Sequence, residues 1–218
     1  MPQRFDLVVF DWDGTLMDSA AAIVASIQNA CRDLELPVPD DQRASHVIGL
    51  GLHDAMAYAC PGLPASDYIK MIERYRFHWF QRDPDLPLFA GTLEMLSELE
   101  GRGHLLAVAT GKSRAGLTRA LEQTGLKQRF VATRCADQCT PKPAPDMLLE
   151  LIGELGVERE RTLMIGDTTH DLGMAANAGV PAVAVTYGAH PADELTRMDS
   201  LAMLDSMIDL HQWLRTNA

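Results

Sequence analysis

Basic residues are in short supply. The chain carries 19 Lys and Arg against 30 Asp and Glu, a formal net charge of −11 over 218 residues. Nucleic acid needs clustered Lys and Arg to replace its counterions, so this balance argues against it as a main partner. It argues equally against an anionic membrane surface. An anionic small molecule remains compatible, because a few cations in one pocket override the global field. Cysteine is sparse as well. Cys31, Cys60, Cys135 and Cys139 fit no zinc-ligand spacing, and a chain of this length needs no disulfide framework. The Cys135/Cys139 pair is a weak redox sign; reduced, partly buried thiols are the expectation. No apolar run is long enough to span a bilayer, and the one in MPQRFDLVVFDWDG is too short for a signal peptide. We expect a cytoplasmic protein. Repeats and low-complexity tracts are absent.

What is present is ordinary globular material, 47% hydrophobic and 22% charged, in a strongly patterned order. Short apolar runs recur at 5–10 (FDLVVF), 105–110 (LLAVAT), 129–134 (RFVATR), 162–167 (TLMIGD) and 181–186 (PAVAVT). Runs apolar on both faces suit a parallel sheet covered on both sides. Between them, AGLTRALEQTG and PDMLLELIGELG have helical spacing and end in Gly. The expectation is an α/β fold with a Rossmann-like parallel sheet core. The alternation breaks between the first two runs, where residues 17–82 read as helices with no strand. A simple crossover needs far fewer residues, so an inserted α-helical subdomain is expected at 17–82, with the core formed by 1–16 and 83–218. Pro84 and Pro87 stiffen the returning linker QRDPDLPLF. Monomer and homodimer both stay open.

Ligands of open α/β sheets bind beyond the carboxyl ends of the strands. There the first run delivers Asp11 and Asp13, two close carboxylates that repel by about 4 kcal/mol at contact distance in an effective protein dielectric. Alone, FDWDGTLMDS reads equally as an Asp-Gly turn. The second run ends in Thr110, Gly111 and Lys112. The fourth ends in Gly166 and Asp167, with Asp171 four residues on and on the same helical face. Lys142 sits between two prolines in TPKPAPD. Carboxylates converging on one sheet edge need cations, and oxygen-rich, sulfur-free ligation suits Mg²⁺. A carboxylate nucleophile, a hard cation, a lysine and neutral donors describe phosphoryl transfer through an aspartyl-phosphate.

DWDGTL, the Thr of VATGKS, the Lys of PKPAPD and GDTTHD resemble, in that order, the four motifs of the haloacid dehalogenase superfamily. The likeness is to its phosphoglycolate phosphatase-like branch with a helical cap. The resemblance implies a phosphoric monoester hydrolase acting on a small phosphorylated metabolite. It implies Asp11 as nucleophile and Asp13 as the acid and base that serves the leaving oxygen and then water. It implies Mg²⁺ held by Asp11, the backbone carbonyl of Asp13 and Asp167, with Asp171 helping directly or through water. Thr110 and Lys142 would hold the phosphoryl oxygens, Gly14 would keep the backbone close to them, and Gly111 is a further phosphate-binding candidate, while Lys112 and Ser113 read as the start of a helix that could lend an amide to the phosphate. Trp12 departs from the smaller apolar residue common there and is expected to pack behind the site.

Several plainer readings compete. Asp167 reads also as a helix cap and Asp171 as a first-turn carboxylate. GKS at 111–113 is not a P-loop, because position 106 is Leu rather than Gly. GLGL at 49–52 reads as a flexible link, with Gly49, Gly51 and His53 as weak specificity candidates in the resembled branch. Arg74, Arg76 and His78 read mainly as a solvated helix face, and His170 as a surface residue. A phosphomutase of the same superfamily and an Asp-phosphorylated signalling module are the alternatives. Of candidate substrates, 2-phosphoglycolate is the one the resemblance suggests.

Overall fold

The computed structural model of the chain describes residues 3–83 and 86–218. β1 (Leu7–Phe10) lies at the centre of the sheet, with β2 (Leu105–Thr110) and β3 (Ala132–Cys135) on one side. On the other side lie β4 (Thr162–Gly166), β5 (Ala182–Val185) and β6 (Met203–Leu204). The order is β3-β2-β1-β4-β5-β6 and every pairing is parallel. Phe10 pairs with Val108 and with Ile165. That register brings the ends of β1, β2 and β4 to one level at the same edge.

The strands form here because both faces are buried. Val8 and Phe10 point into a cluster with α5 (Thr92–Gly101), α6 (Arg114–Thr124) and α10 (Met207–Asn217). Leu7 and Val9 point the opposite way, toward α7 (Asp146–Leu155), α8 (Thr169–Ala178) and α9 (Ala192–Leu195). This is the period-two consequence of the pleat. The helices α6 and α7 stop at Gly125 and Gly156, which take left-handed φ values of 70° and 66°, the conformation that glycine adopts without a Cβ penalty.

Two sheet expectations need correction. The strand expected at 129–134 begins only at Ala132, because Phe130 turns into the core while Val131 is exposed. β6 was not expected. It has two residues at an edge, too few for a periodic signal.

The segment between β1 and β2 holds α1 (Ala20–Asp33), α2 (Asp41–His46), α3 (Leu52–Ala59) and α4 (Tyr68–Phe80). They pack around their own cluster, which includes Ile27, Met56, Met71 and Trp79. Arg74 and His78 are not merely solvated. Both reach Asp33 Oδ2, at 2.5 and 2.8 Å, and tie α4 to α1. The Cys31 and Cys60 thiols are free and lie 3.3 Å apart within the cluster. The two connections to the sheet run side by side, Asp18 N donating to Pro87 O (3.0 Å) and Phe89 N to Leu16 O (3.0 Å). Pro84 falls outside the described residues. No helix among the described residues is long and apolar enough to cross a membrane.

Candidate active site

The chain leaves β1 in a tight turn. Leu16 N and Met17 N both donate to Trp12 O, and Gly14 N donates to Met17 O. Gly14 has φ 81°, and a Cβ there would lie 2.2 Å from Asp167 Oδ2. Glycine is therefore required twice, by conformation and by close approach to Asp167. Trp12 packs behind the turn, edge-on to Phe130. Asp11 and Asp13 are both buried.

Four carboxylates do converge, but in two sets. Ligand oxygens of Asp11, Asp167 and Asp171 lie within 4.8 Å of one another. Lys142, fully buried, places Nζ 2.7 Å from Asp11 Oδ1 and 2.6 Å from Asp171 Oδ1. Thr15 Oγ1 and Ala189 N each donate to Asp167 at 2.7 Å. Asp171 Oδ2 accepts from Thr168 N and Thr168 Oγ1, completing a capping box at the start of α8. The helix is thus capped by Thr168 rather than Asp167, and Asp171 fills its first-turn role while facing Lys142. The Asp13 carboxylate stands apart from this cluster. It accepts from Ser19 Oγ (2.6 Å) and pairs with Lys112 Nζ (3.0 Å). Only the backbone of Asp13 is left for the metal role that the resemblance implies.

One ammonium among three buried carboxylates leaves a deficit of positive charge. Burial pushes the Asp11 carboxyl up to about 7 against the pull of Lys142. Burial and the neighbouring Asp11 and Asp171 raise Asp167 well above the carboxylate range. Burial would lower Lys142, but Asp11 and Asp171 together push it up instead. Neither oxygen of Asp11 accepts a well-directed hydrogen bond among the described residues; Lys142 approaches Oδ1 as an ion pair. A pair of open carboxylate oxygens beside two further buried acids fits a hard divalent cation.

Asp11, Asp13, Thr110, Gly111 and Lys112 form the floor of a cavity of about 620 Å³ roofed by the helical segment. Gly49, Gly51, His53 and Arg76 also line it. Thr110 Oγ1 accepts from Lys112 N, and Ser113 caps α6. A Cβ on Gly111 would lie 2.5 Å from Gly49 O, so here the two halves of the molecule touch backbone to backbone. GLGL is part of that seam. Lys112, read in the sequence as the start of a helix that could lend an amide to the phosphate, bridges both halves with its side chain: besides Asp13, its Nζ lies 4.5 Å from the ring centroid of Trp79.

His170 belongs to the seam too, and the surface role expected for it is overturned. His170 Nε2 donates to His46 O (2.8 Å), and His190 Nε2 lies 3.1 Å from the same carbonyl. Thr169 N donates to His190 Nδ1, so the His190 proton sits on Nε2. Burial holds His170 below its ordinary value and His190 down to about 4. The sequence reading also missed Ser19, Thr15 and the loop Gly188–His190, where a Cβ on Gly188 would meet Asp167 at 2.2 Å. That loop follows β5 at the same sheet edge, the signal that would have found it.

The comparisons with known proteins agree with this geometry. The family model for haloacid dehalogenase-like hydrolases matches residues 8–185. The probable phosphatase IndB of Dickeya dadantii is 37% identical over 210 residues, covering 94% of this chain and 91% of that protein. A phosphoglycolate phosphatase of Agrobacterium fabrum is 34% identical over 189 residues, covering 84% and 81%. The crystal structure of a predicted phosphoglycolate phosphatase from Haemophilus somnus superposes with a TM-score of 0.85 at 25% identity, covering 97% of this chain and 99% of that one. The chain belongs to the haloacid dehalogenase-like hydrolases. Within them it falls in the phosphoglycolate phosphatase-like branch, among the phosphatases of that family.

Proposed function

We propose that the protein hydrolyses small phosphate monoesters with Mg²⁺ through an aspartyl-phosphate on Asp11. The observation that carries this is the Asp11 carboxylate: buried, facing the cavity, without a well-directed hydrogen bond and set against Lys142 Nζ at 2.7 Å. A carboxylate satisfied by backbone donors would be a structural group; this one is free to react. Asp11, Asp167 and the backbone of Asp13 would hold Mg²⁺, with Asp171 beside them. When bound, the ion neutralises charge on the transferring group and keeps Asp11 ionised.

The chain's own residues supply the rest. Lys142 and Thr110 receive the phosphoryl oxygens. Asp11 attacks phosphorus in line with the ester oxygen. Asp13, aimed by Ser19 and Lys112, gives a proton to the departing alcohol. It then takes one from the water that attacks phosphorus and frees Asp11. Residues 17–82 act as a cap that keeps bulk water from the intermediate, and residues 1–16 and 83–218 form the core that carries the chemistry.

Relatives named as phosphoglycolate phosphatases make 2-phosphoglycolate the first ester to test. The experiment is phosphate release from a panel of esters, with Mg²⁺ and with chelator. Metal-dependent release of inorganic phosphate supports the reading. Conversion of a sugar phosphate to its isomer without release would favour a mutase, and release unaffected by chelator would remove the metal from the mechanism.

A further inference from the structure

We infer that the preferred substrate is the phosphate ester of a bulky, largely apolar alcohol rather than of a two-carbon acid. The inference rests on the hydrolase reading above and concerns the leaving group. The cavity is a half-open space of about 620 Å³, in the range that accommodates drug-sized ligands, and the helical segment is already seated on the core at Gly49–Gly111 and at His46. The volume is thus space beneath a roof in contact, not the gap of a roof held away.

Its interior has the wrong chemistry for a small anion. Above the catalytic floor the buried lining includes Ile23, Ile27, Val47, Ile48, Met56 and Trp79. On α4, Ile72, Tyr75, Arg76, Trp79 and Phe80 all line the cavity at helical spacing, so one face of the helix is turned to it. Along that face the Tyr75 and Trp79 rings lie nearly parallel, and burial pushes the Tyr75 hydroxyl above its ordinary value. The charged lining residues His53, Asp54, Arg76 and Asp137 are exposed, at the rim. Arg119 is turned to Asp83 at 3.6 Å and lies over the Phe80 ring. A carboxylate set one carbon from the ester oxygen would find one cation near it, Lys112, already paired with Asp13 and lying over the Trp79 ring; beyond that it would lie among aliphatic side chains and meet none of the rim charges. An apolar body would displace poorly held water there and leave any polar tail at the rim.

The test compares kcat/KM for 2-(2-naphthyl)ethyl phosphate, ethyl phosphate and 2-phosphoglycolate. All three release a primary alcohol oxygen, so ring size is not confused with leaving-group activation. The expected result is a preference of about 30-fold or more for the naphthyl ester over ethyl phosphate, the scale of a few buried methylenes, with 2-phosphoglycolate below the naphthyl ester. Ile72→Asp should reduce that ratio to a few-fold, and Ile72→Leu should keep it. If Ile72→Asp loses its helical circular dichroism, Phe80→Ala, at a solvent-exposed position, is read in its place and should lower the ratio about threefold. A ratio near one, or a preference for 2-phosphoglycolate, overturns the inference while the released phosphate upholds the hydrolase. A ratio unchanged in the folded variants also overturns it. Release from none of the three esters overturns the hydrolase reading, and this inference with it.

Discussion

Across the cavity, two walls face each other. On the sheet side, Asp11, Asp13, Thr110 and Lys112 line the cavity, with Asp13 held between Ser19 and Lys112; behind them Lys142 is held between Asp11 and Asp171, and Asp167 between Thr15 and Ala189. All of these acids are buried. On the helical side, the wall is aliphatic and aromatic, and its charges stand at the exposed rim. Directed, charge-assisted contacts fix position closely, whereas apolar surfaces of the right volume tolerate exchange. The first wall suits a reaction that cannot vary; the second suits a substrate that can. Changes on α4 should therefore alter which ester is used, and changes at the sheet edge should alter whether any is used.

The sharpest way to break that contrast is Asp11→Asn. It keeps the shape and removes the nucleophile, so turnover should fall on the order of 10⁴-fold or more. The fold should persist, since one of three crowded carboxylates becomes neutral. Steady-state kinetics beside a thermal melt checks both halves.

Next in size is Lys142→Ala. Stripping the ammonium leaves Asp11 and Asp171 buried without their counter-charge, and such losses cost about 3–5 kcal/mol. Chemical denaturation should show that drop together with loss of activity. A variant as stable as the wild type would mean that the cluster is not held by charge.

Gly111→Ala probes the seam between the walls. Its Cβ would collide with Gly49 O, so the roof must lift. With circular dichroism unchanged, kcat/KM should fall about 10-fold, the scale of modest misplacement of a substrate-positioning element.

The smallest effect is on pH. The folded protein holds Asp11 at about 7, above the ordinary 3.8. A carboxyl raised in this way stabilises the metal-free fold below its unfolded value and loses that contribution as pH rises through about 7. Metal ligation requires the ionised form. The increase in Tm on adding Mg²⁺ should therefore be greater at pH 8 than at pH 5.5, by a few degrees for each kcal/mol in a chain of this size. An equal increase at both values would contradict it.

Much of the sheet-side wall was legible in the sequence, because strand ends are marked by abrupt changes from apolar to polar residues. LVVF followed by Asp11, and TLMIG followed by Asp167, announce both the strand and what stands beyond it. The parallel register then carries these residues to one level without further information. Lys112 and Ser19 were not legible as partners of Asp13. Their pairing depends on how the turn after β1 faces the start of α6, which no local pattern encodes. His170 and His190 escaped for the same reason: an imidazole meeting the carbonyl of His46 more than a hundred residues away leaves no periodic trace. Even on the helical side, the Ile72–Phe80 spacing is visible in the sequence, but nothing there distinguishes a face that lines a cavity from one that fills a core.

The most direct measurement is rapid acid quench of the wild-type enzyme during turnover with Mg²⁺, followed by peptide mass spectrometry, with Asp11→Asn run alongside. One phosphoryl group is expected on the wild-type peptide containing Asp11, and neither adduct nor turnover in the variant. Turnover near the wild-type rate in Asp11→Asn, or a phosphoryl group on another residue, would contradict this expectation.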